Sequence, residues 1–214
     1  MGAVPLRKRI MFSACKQIRA GESDLQDRAD FFSIGSNLIL IIADGAGGMS
    51  GGAEAAEFTV EALKKKINVN SLTSQGIANV LLSIDEEMAR IGAYGETTCV
   101  VAAVSESGVI GASVGDSGAW LISEAGADNL TAHQQLKPFL GSGRATPVGF
   151  SRNQFQGTLL VASDGLLKYA SIERIAAVAI TLDLDQASRD LIELVRYPSG
   201  ALPDDTSVVL ARAS

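Results

Sequence analysis

The feature of this 214-residue chain that most restricts its fold is the continuous apolar run from Leu38 to Ala43. A strand with one face in water alternates apolar and polar side chains, whereas an unbroken apolar run is typical of a strand buried on both faces. The run stops at Asp44 and Gly45, where glycine permits a sharp turn. The chain must therefore pack layers on both sides of this strand, and a carboxylate directly follows the strand.

The order of the other segments indicates which kind of layers these are. Hydrophobic periodicity and turn residues predict, in chain order, strands at 9–18 and 29–43, helices at 53–67 and 72–92, strands at 97–105, 109–114, 118–123 and 158–162, helices at 171–180 and 185–196, and a last strand at 207–211. This order is not the alternation of a parallel βαβ fold. We therefore expect an α+β fold of stacked, mostly antiparallel β-sheets with helices outside.

Composition predicts one globular domain over residues 1–214 and excludes several functions. Hydrophobic residues make up 47% and charged residues 20% of the chain, which suits a packed core. The net charge of −6 argues against a nucleic-acid partner. No apolar stretch is long enough to cross a bilayer, so we expect a cytoplasmic protein without a membrane partner. Cys15 and Cys99 without CxxC spacing, together with the single His133, argue against a zinc site.

Aspartates recur at the ends of the predicted strands: Asp44, Asp116 and Asp164 after a strand, Asp204 and Asp205 before the last one, and Asp27 between the first two. If these strands are neighbours, several carboxylates meet, and a cation would relieve their repulsion. Oxygen ligands without His or Cys favour Mg²⁺ or Mn²⁺. A single Asp-Gly pair is more often a plain turn, and it is the repetition beside strong strands that favours a metal site.

Six short motifs resemble, in their order, those of the metal-dependent protein serine/threonine phosphatases of the type 2C family. They are QD at 26–27, DGAGG at 44–48, ETT at 96–98, VGDSG at 114–118, ASDGLL at 162–167 and DDTSVVL at 204–210. Each motif alone is weak, but their common order over nearly the whole chain is specific. The resemblance implies a four-layer α-β-β-α sandwich, with two mostly antiparallel β-sheets flanked by helix pairs, in a compact bacterial-type member.

The same resemblance implies metal ligands at Asp27, Asp44, Gly45, Asp116, Asp164 and Asp204. Asp44 would bridge two ions of Mn²⁺ or Mg²⁺, and Gly45 would contribute its backbone carbonyl. Asp164 and Asp204 complete the catalytic trio with Asp44, and Asp205 is the less favoured ligand. Asp27 matches a carboxylate that holds a water on a metal. Asp116 matches a residue linked to a third, weaker metal ion, whereas Thr97 and Thr98 match structural positions.

The activity implied is hydrolysis of phosphoserine or phosphothreonine on a protein, by a water activated between the two ions and without a covalent enzyme intermediate. The implied partners are a phosphoprotein substrate and a cognate serine/threonine kinase in bacterial signalling. One alternative stays open at this point: a phosphatase-like pseudoenzyme or regulatory binding module with little catalysis.

Several positions depart from the family pattern, and the loss of one arginine supports that alternative. Glu22 stands where many members carry an arginine that binds the substrate phosphate, although Arg19 is near in sequence. Gly118 replaces the arginine of GDSR, and residues 124–157 are short for the flap that members carry beside the site. His133 within this stretch is expected to be a surface or turn residue. Retention of the aspartates opposes the alternative, because a pseudoenzyme has little reason to keep a costly carboxylate cluster.

Overall fold

The computed structural model describes residues 11–21, 24–46, 51–181 and 183–213. The strands are β1 (Phe12–Arg19), β2 (Arg28–Ile34), β3 (Asn37–Ala43), β4 (Cys99–Ser105), β5 (Gly108–Val114), β6 (Gly118–Ser123), β7 (Gly126–Asn129), β8 (Val148–Arg152), β9 (Thr158–Ala162) and β10 (Thr206–Ala213). The helices are α1 (Gly52–Lys66), α2 (Ser74–Ile91), α3 (Asp164–Leu167), α4 (Ile172–Ala179) and α5 (Leu184–Glu193), with a 3₁₀ turn at Val69–Ser71.

The strands form two five-stranded sheets in which all pairings are antiparallel. The first sheet has the order β2-β3-β4-β5-β8, and the second has the order β1-β10-β9-β6-β7. The apolar run is β3, an inner strand between β2 and β4. The expected stack of antiparallel sheets is confirmed.

The side chains of β3 alternate between two hydrophobic cores, which explains why the run has no polar positions. Ile39 and Ile41 pack in the core that the first sheet forms with α1 and α2. Leu40 and Ile42 pack in the core between the two sheets. A third core joins the second sheet to α4 and α5. The layers are therefore helices, sheet, sheet and helices, and the predicted α-β-β-α sandwich is confirmed.

Local signals define the helix on the outer side of the first sheet most clearly. The side chain of Thr73 accepts a hydrogen bond from the backbone of Gly76 at 2.9 Å, which caps the start of α2. Gly92 ends the helix in the left-handed conformation with φ 67°. Both predicted helix pairs are present within a few residues of their expected bounds. Among the described residues, no helix combines the length and apolarity needed to cross a membrane.

The prediction of one strand over 29–43 was wrong, because this segment is the hairpin β2-β3. Ile34 pairs with Asn37, so Gly35 and Ser36 form a two-residue turn. Gly35 adopts φ 62°, which glycine reaches without steric cost. The segment does contain a hairpin signal, Gly35-Ser36 between two apolar stretches, which the prediction of a single strand passed over.

Residues 124–157 contain two strands that the periodicity did not predict. β7 has the sequence GADN and includes no large apolar side chain. β8 pairs with β5 at the edge of the first sheet, and only Phe150 of its residues is buried. Short edge strands of this kind carry almost no hydrophobic signal.

Candidate metal centre

The aspartates predicted from the sequence gather where corresponding ends of the two sheets meet. Ala43 pairs with Arg28, so Asp44 and Asp27 adjoin the same end of the first sheet. Ala162 pairs with both Gly118 and Val208, which brings the flanking segments with Asp164, Asp116 and Asp204 to one end of the second sheet.

Asp27 is a buried carboxylate without a hydrogen-bond partner among the described residues. Burial raises its pKa to about 6, although the hydroxyls of Ser207 and Ser163 lie near enough to act in the opposite direction. The hydroxyl of Ser207 is itself buried and unpaired within the same part of the chain. Burying a charge costs much free energy unless it is paired, so this carboxylate suits a cation or a bound water as its partner.

Asp44 lies at the centre of the cluster. Its pKa is raised to about 10, first by burial and then by the negative charges of Asp27 and Asp164, with a smaller contribution from Asp116. Like charges at short range oppose ionisation, and a divalent cation reverses that effect. Asp44 therefore has the surroundings expected of a ligand shared between metal ions.

The ETT segment fixes the backbone of Asp44. The carbonyl of Asp44 accepts hydrogen bonds from the backbone of Thr98 at 2.9 Å and from the hydroxyl of Thr97 at 2.8 Å. The backbone N–H of Asp44 donates to the hydroxyl of Thr98 at 3.2 Å. That hydroxyl also shares a hydrogen bond with Ser117 at 2.7 Å, which links Asp44 to the segment that carries Asp116. Thr97 and Thr98 thus position the aspartate and leave its side chain available.

Glycine is required at position 45 by the close approach of α1. A Cβ atom there would lie 2.5 Å from the backbone carbonyl of Gly52. Gly45 also forms an isolated antiparallel bridge with Thr97. Gly47 and Gly48, the last residues of the DGAGG motif, lie outside the described residues. The motif glycine is thus needed for packing irrespective of what its carbonyl binds.

The neighbours Asp204 and Asp205 have different roles. The buried carboxylate of Asp205 accepts hydrogen bonds from the backbone of Gly21 at 2.8 Å and of Gln26 at 2.6 Å. It thereby holds the β1-β2 connection that carries Asp27. Asp204 is partly exposed, and burial together with the charge of Asp164 raises its pKa. Asp204 is thus the member of the pair whose side chain is open to a cation, and its role as a ligand stays a prediction.

Lys168 is a residue of this site that the sequence reasoning missed. Its ammonium group forms an ion pair with Oδ2 of Asp164 and lies 3.4 Å from Oδ2 of Asp116. The pKa of Lys168 is raised, mainly by the hydrogen bond to Asp164. The ASDGLL motif stops one residue before it. The available signal was the spacing, because residues four apart share one side of a helix and α3 begins at Asp164.

Among the other candidates, Arg19 pairs with Thr206 of β10 and so lies at the same end of the second sheet as Asp204, whereas Glu22 lies outside the described residues. Arg19 is exposed, donates to the carbonyl of Ile18 at 2.8 Å and acts electrostatically on Glu193 of α5. His133 is exposed in a turn, as expected. At position 118, a Cβ atom would lie 2.9 Å from Cδ1 of Leu167, so the glycine there admits α3.

The donor set fits a hard divalent cation that keeps part of its water shell. Within the described ranges, no three His, Cys, Asp or Glu side chains converge closely enough to enclose an ion by themselves. Mg²⁺ is usually bound by one or two carboxylates and several waters, so this arrangement suits it. The unpaired Asp27 and the crowded Asp44 are the specific observations in favour. The residues present are thus compatible with Mn²⁺ or Mg²⁺.

No family model matches this sequence, and no curated protein matches it. Solved structures do match: the chain has the fold of the bacterial serine/threonine phosphatases, which confirms the resemblance found in the motifs.

Three of these structures illustrate the likeness. The serine/threonine phosphatase Stp1 from Staphylococcus aureus superimposes with a TM-score of 0.84 at 21% identity, with 100% of both chains covered. A variant of a bacterial serine phosphatase is 25% identical, with a TM-score of 0.82 over 95% of this chain and 99% of that chain. The catalytic domain of the serine/threonine protein phosphatase PstP, solved with two manganese ions, has a TM-score of 0.78 at 20% identity, covering 95% and 99%.

Proposed function

We propose that this chain is a protein serine/threonine phosphatase that hydrolyses phosphoserine or phosphothreonine with two Mn²⁺ or Mg²⁺ ions. The observation that carries the proposal is the junction of the two sheets, where Asp44 is surrounded by the charges of Asp27, Asp164 and Asp116. The manganese complex of a structural neighbour supports the choice of metal. A phosphoprotein substrate and a cognate kinase, in bacterial cytoplasmic signalling, belong to the same proposal.

Each residue of the cluster has a part in this reaction. Asp44, with the carbonyl of Gly45, would hold both ions, and Asp164 and Asp204 would each bind one of them. Bound ions supply an acidified water and neutralise charge on the phosphoryl oxygens. Asp27 is an acceptor of hydrogen bonds from water, because both of its oxygens are unpaired among the described residues. Thr97, Thr98 and Asp205 keep these groups in position through the backbone.

A binding module without catalysis is the second candidate. The observation that favours it is the hydrogen bonding of Arg19, whose guanidinium group donates to the carbonyl of Ile18 in its own strand and, among the described residues, to none of the aspartates. Held in this way, Arg19 would not supply the phosphate-binding arginine expected at this end of β1. Such a module would bind metal and a phosphorylated partner but would not turn it over.

The deciding experiment is hydrolysis of p-nitrophenyl phosphate and of a phosphothreonine peptide in the presence of Mn²⁺. We expect the wild type to release phosphate and Asp164→Asn to lose at least about 100-fold in rate, since removal of a group that stabilises transition-state charge has effects of this size. Asp185→Asn, an exposed aspartate of α5, serves as the matched control and should keep wild-type activity.

Two outcomes would contradict the proposal. Equal turnover by wild type and Asp164→Asn would show that the cluster is not catalytic. Binding of Mn²⁺ by calorimetry without turnover of either substrate would favour the binding module.

A further inference from the structure

Lys168 lies between two carboxylates, and one of them, Asp116, is the residue that the motif resemblance links to a third metal ion. Its ammonium group contacts Oδ2 of Asp164 and Oδ2 of Asp116, which come from different parts of the chain. The Lys168 side chain is about half-exposed, so it bridges the two carboxylates at the rim of the site. Its positive charge also lowers the pKa of Asp204, against the effect of burial.

A divalent ion at this place would compete with the ammonium group for the same two oxygens, Oδ2 of Asp164 and Oδ2 of Asp116. The two cations also repel each other, and a divalent ion doubles the repulsion of a unit charge. Without the lysine, Asp116 would lie near Asp164 as an anion without a cationic partner, which is the condition that attracts a metal ion.

We propose that Lys168 is a built-in cation that occupies the place of a third metal ion, so that this chain binds two divalent ions and no more. The proposal deepens the proposed function, because it assumes the two-ion site at Asp44. Lys168 uses Oδ2 of Asp164 and leaves Oδ1 of that residue for one of the two ions. In the wild type, the charge of Asp116 is then balanced by the ammonium group of Lys168, and Asp116 does not bind a metal ion.

The test counts bound manganese by equilibrium dialysis at millimolar Mn²⁺, with isothermal titration calorimetry for the affinities. Lys168→Met removes the charge and keeps most of the length of the side chain, whereas Lys168→Arg keeps the charge. We expect two ions per chain in the wild type and in Lys168→Arg, and three in Lys168→Met. The additional ion should be lost in Lys168→Met combined with Asp116→Asn. Lys65→Met, at an exposed lysine of α1, is the matched control and should bind two.

The possible failures are distinguishable. A third ion in the wild type, or two ions of unchanged affinity in Lys168→Met, would overturn the role of Lys168 and leave the phosphatase proposal standing. A wild type that binds no Mn²⁺ would overturn the two-ion site and the present inference with it. Melting curves of each variant in EDTA verify that the chain is folded, which the exposure of Lys168 leads us to expect.

Discussion

At the scale of single residues, the surroundings of Asp27 and Asp44 oppose ionisation of their carboxyl groups. Burial is the largest cause for both Asp27 and Asp44, and neighbouring carboxylates add to it at Asp44. An acid whose pKa is raised in the folded state holds its proton more tightly there than in the unfolded chain. The cluster therefore works against folding at neutral pH when no cation is present, which is the usual condition of a functional site.

The first prediction concerns the pH dependence of the metal-free protein. The pKa of Asp27 is raised to about 6 and that of Asp44 to about 10, above the value of about 4 in an unfolded chain. The folded state binds more protons over this window, so the free energy of unfolding should fall as the pH rises. Urea denaturation in EDTA at pH 5, 7 and 9 measures this fall.

Asp27→Asn supplies the control for this prediction. The amide cannot ionise, so the variant should gain stability relative to the wild type as the pH rises from 5 to 7, by on the order of 1–3 kcal/mol. A difference between the two proteins that is independent of pH would contradict the surroundings assigned to Asp27.

The adjacent residues Asp204 and Asp205 give a second prediction at this scale. Asp205→Asn replaces an acceptor of two backbone hydrogen bonds and should lower the free energy of unfolding in EDTA by about 1–3 kcal/mol. Asp204→Asn removes a charge that its neighbours disfavour, so it should not destabilise the metal-free protein but should weaken Mn²⁺ binding. Urea denaturation and calorimetry of both variants test the pair. Identical behaviour of the two variants would refute the division of roles.

At the scale of elements, a series of hydrogen bonds runs from α2 to the metal centre. The buried carboxylate of Asp85 accepts the backbone N–H groups of Gly141 at 2.8 Å, Gly143 at 2.9 Å and Ala145 at 2.9 Å. Leu140 in the same loop exchanges two backbone hydrogen bonds of 3.0 Å with Thr97. Thr97 in turn bonds to the carbonyl of Asp44. A helix on the outer face thus supports the loop that positions Asp44, a proposed metal ligand.

The third prediction follows from this series. Asp85→Ala leaves three backbone donors without their acceptor and should lower the free energy of unfolding by about 2–4 kcal/mol, as measured by urea denaturation. Glu86→Ala, the exposed neighbour on α2, should change it by less than about 0.5 kcal/mol. Equal effects of the two substitutions would mean that Asp85 does not hold the loop.

The sequence predicted those elements whose residues carry a strong periodic signal. β3 could be predicted because both of its faces are buried, and α2 because its cap residues flank an amphipathic segment. The edge strands β7 and β8 could not, since a half-exposed strand leaves little trace in hydropathy. The turn at Gly35 does have a local signal, because Gly-Ser between two apolar segments is typical of a hairpin. That residues 1–214 form a single domain stays a prediction.

The candidate site was predictable from the sequence only in part. The aspartates adjoin strand ends, so their gathering follows from the order of the motifs. The contact of Lys168 with Asp116 depends on how α3 packs beside the turn before β6, and the spacing along the chain contains no information about it. The same holds for Asp205, whose partners Gly21 and Gln26 are far from it in sequence.

At the scale of the whole molecule, the four layers bring carboxylates from both sheets to one junction. Asp27 and Asp44 adjoin the end of the first sheet, and Asp164 adjoins the corresponding end of the second. The pKa of Asp44 responds to residues of both sheets. The stacking of the sheets, and no single motif, therefore creates the centre.

The most direct test of the metal centre is an anomalous difference map, recorded at the manganese absorption edge, from crystals soaked in Mn²⁺. The map should contain two peaks at the junction of the sheets, both about 2.1 Å from carboxylate oxygens of Asp44, with Asp164 and Asp204 each next to one of the two peaks. Peaks only at other surface carboxylates, or none at saturating Mn²⁺, would contradict a metal centre at this junction.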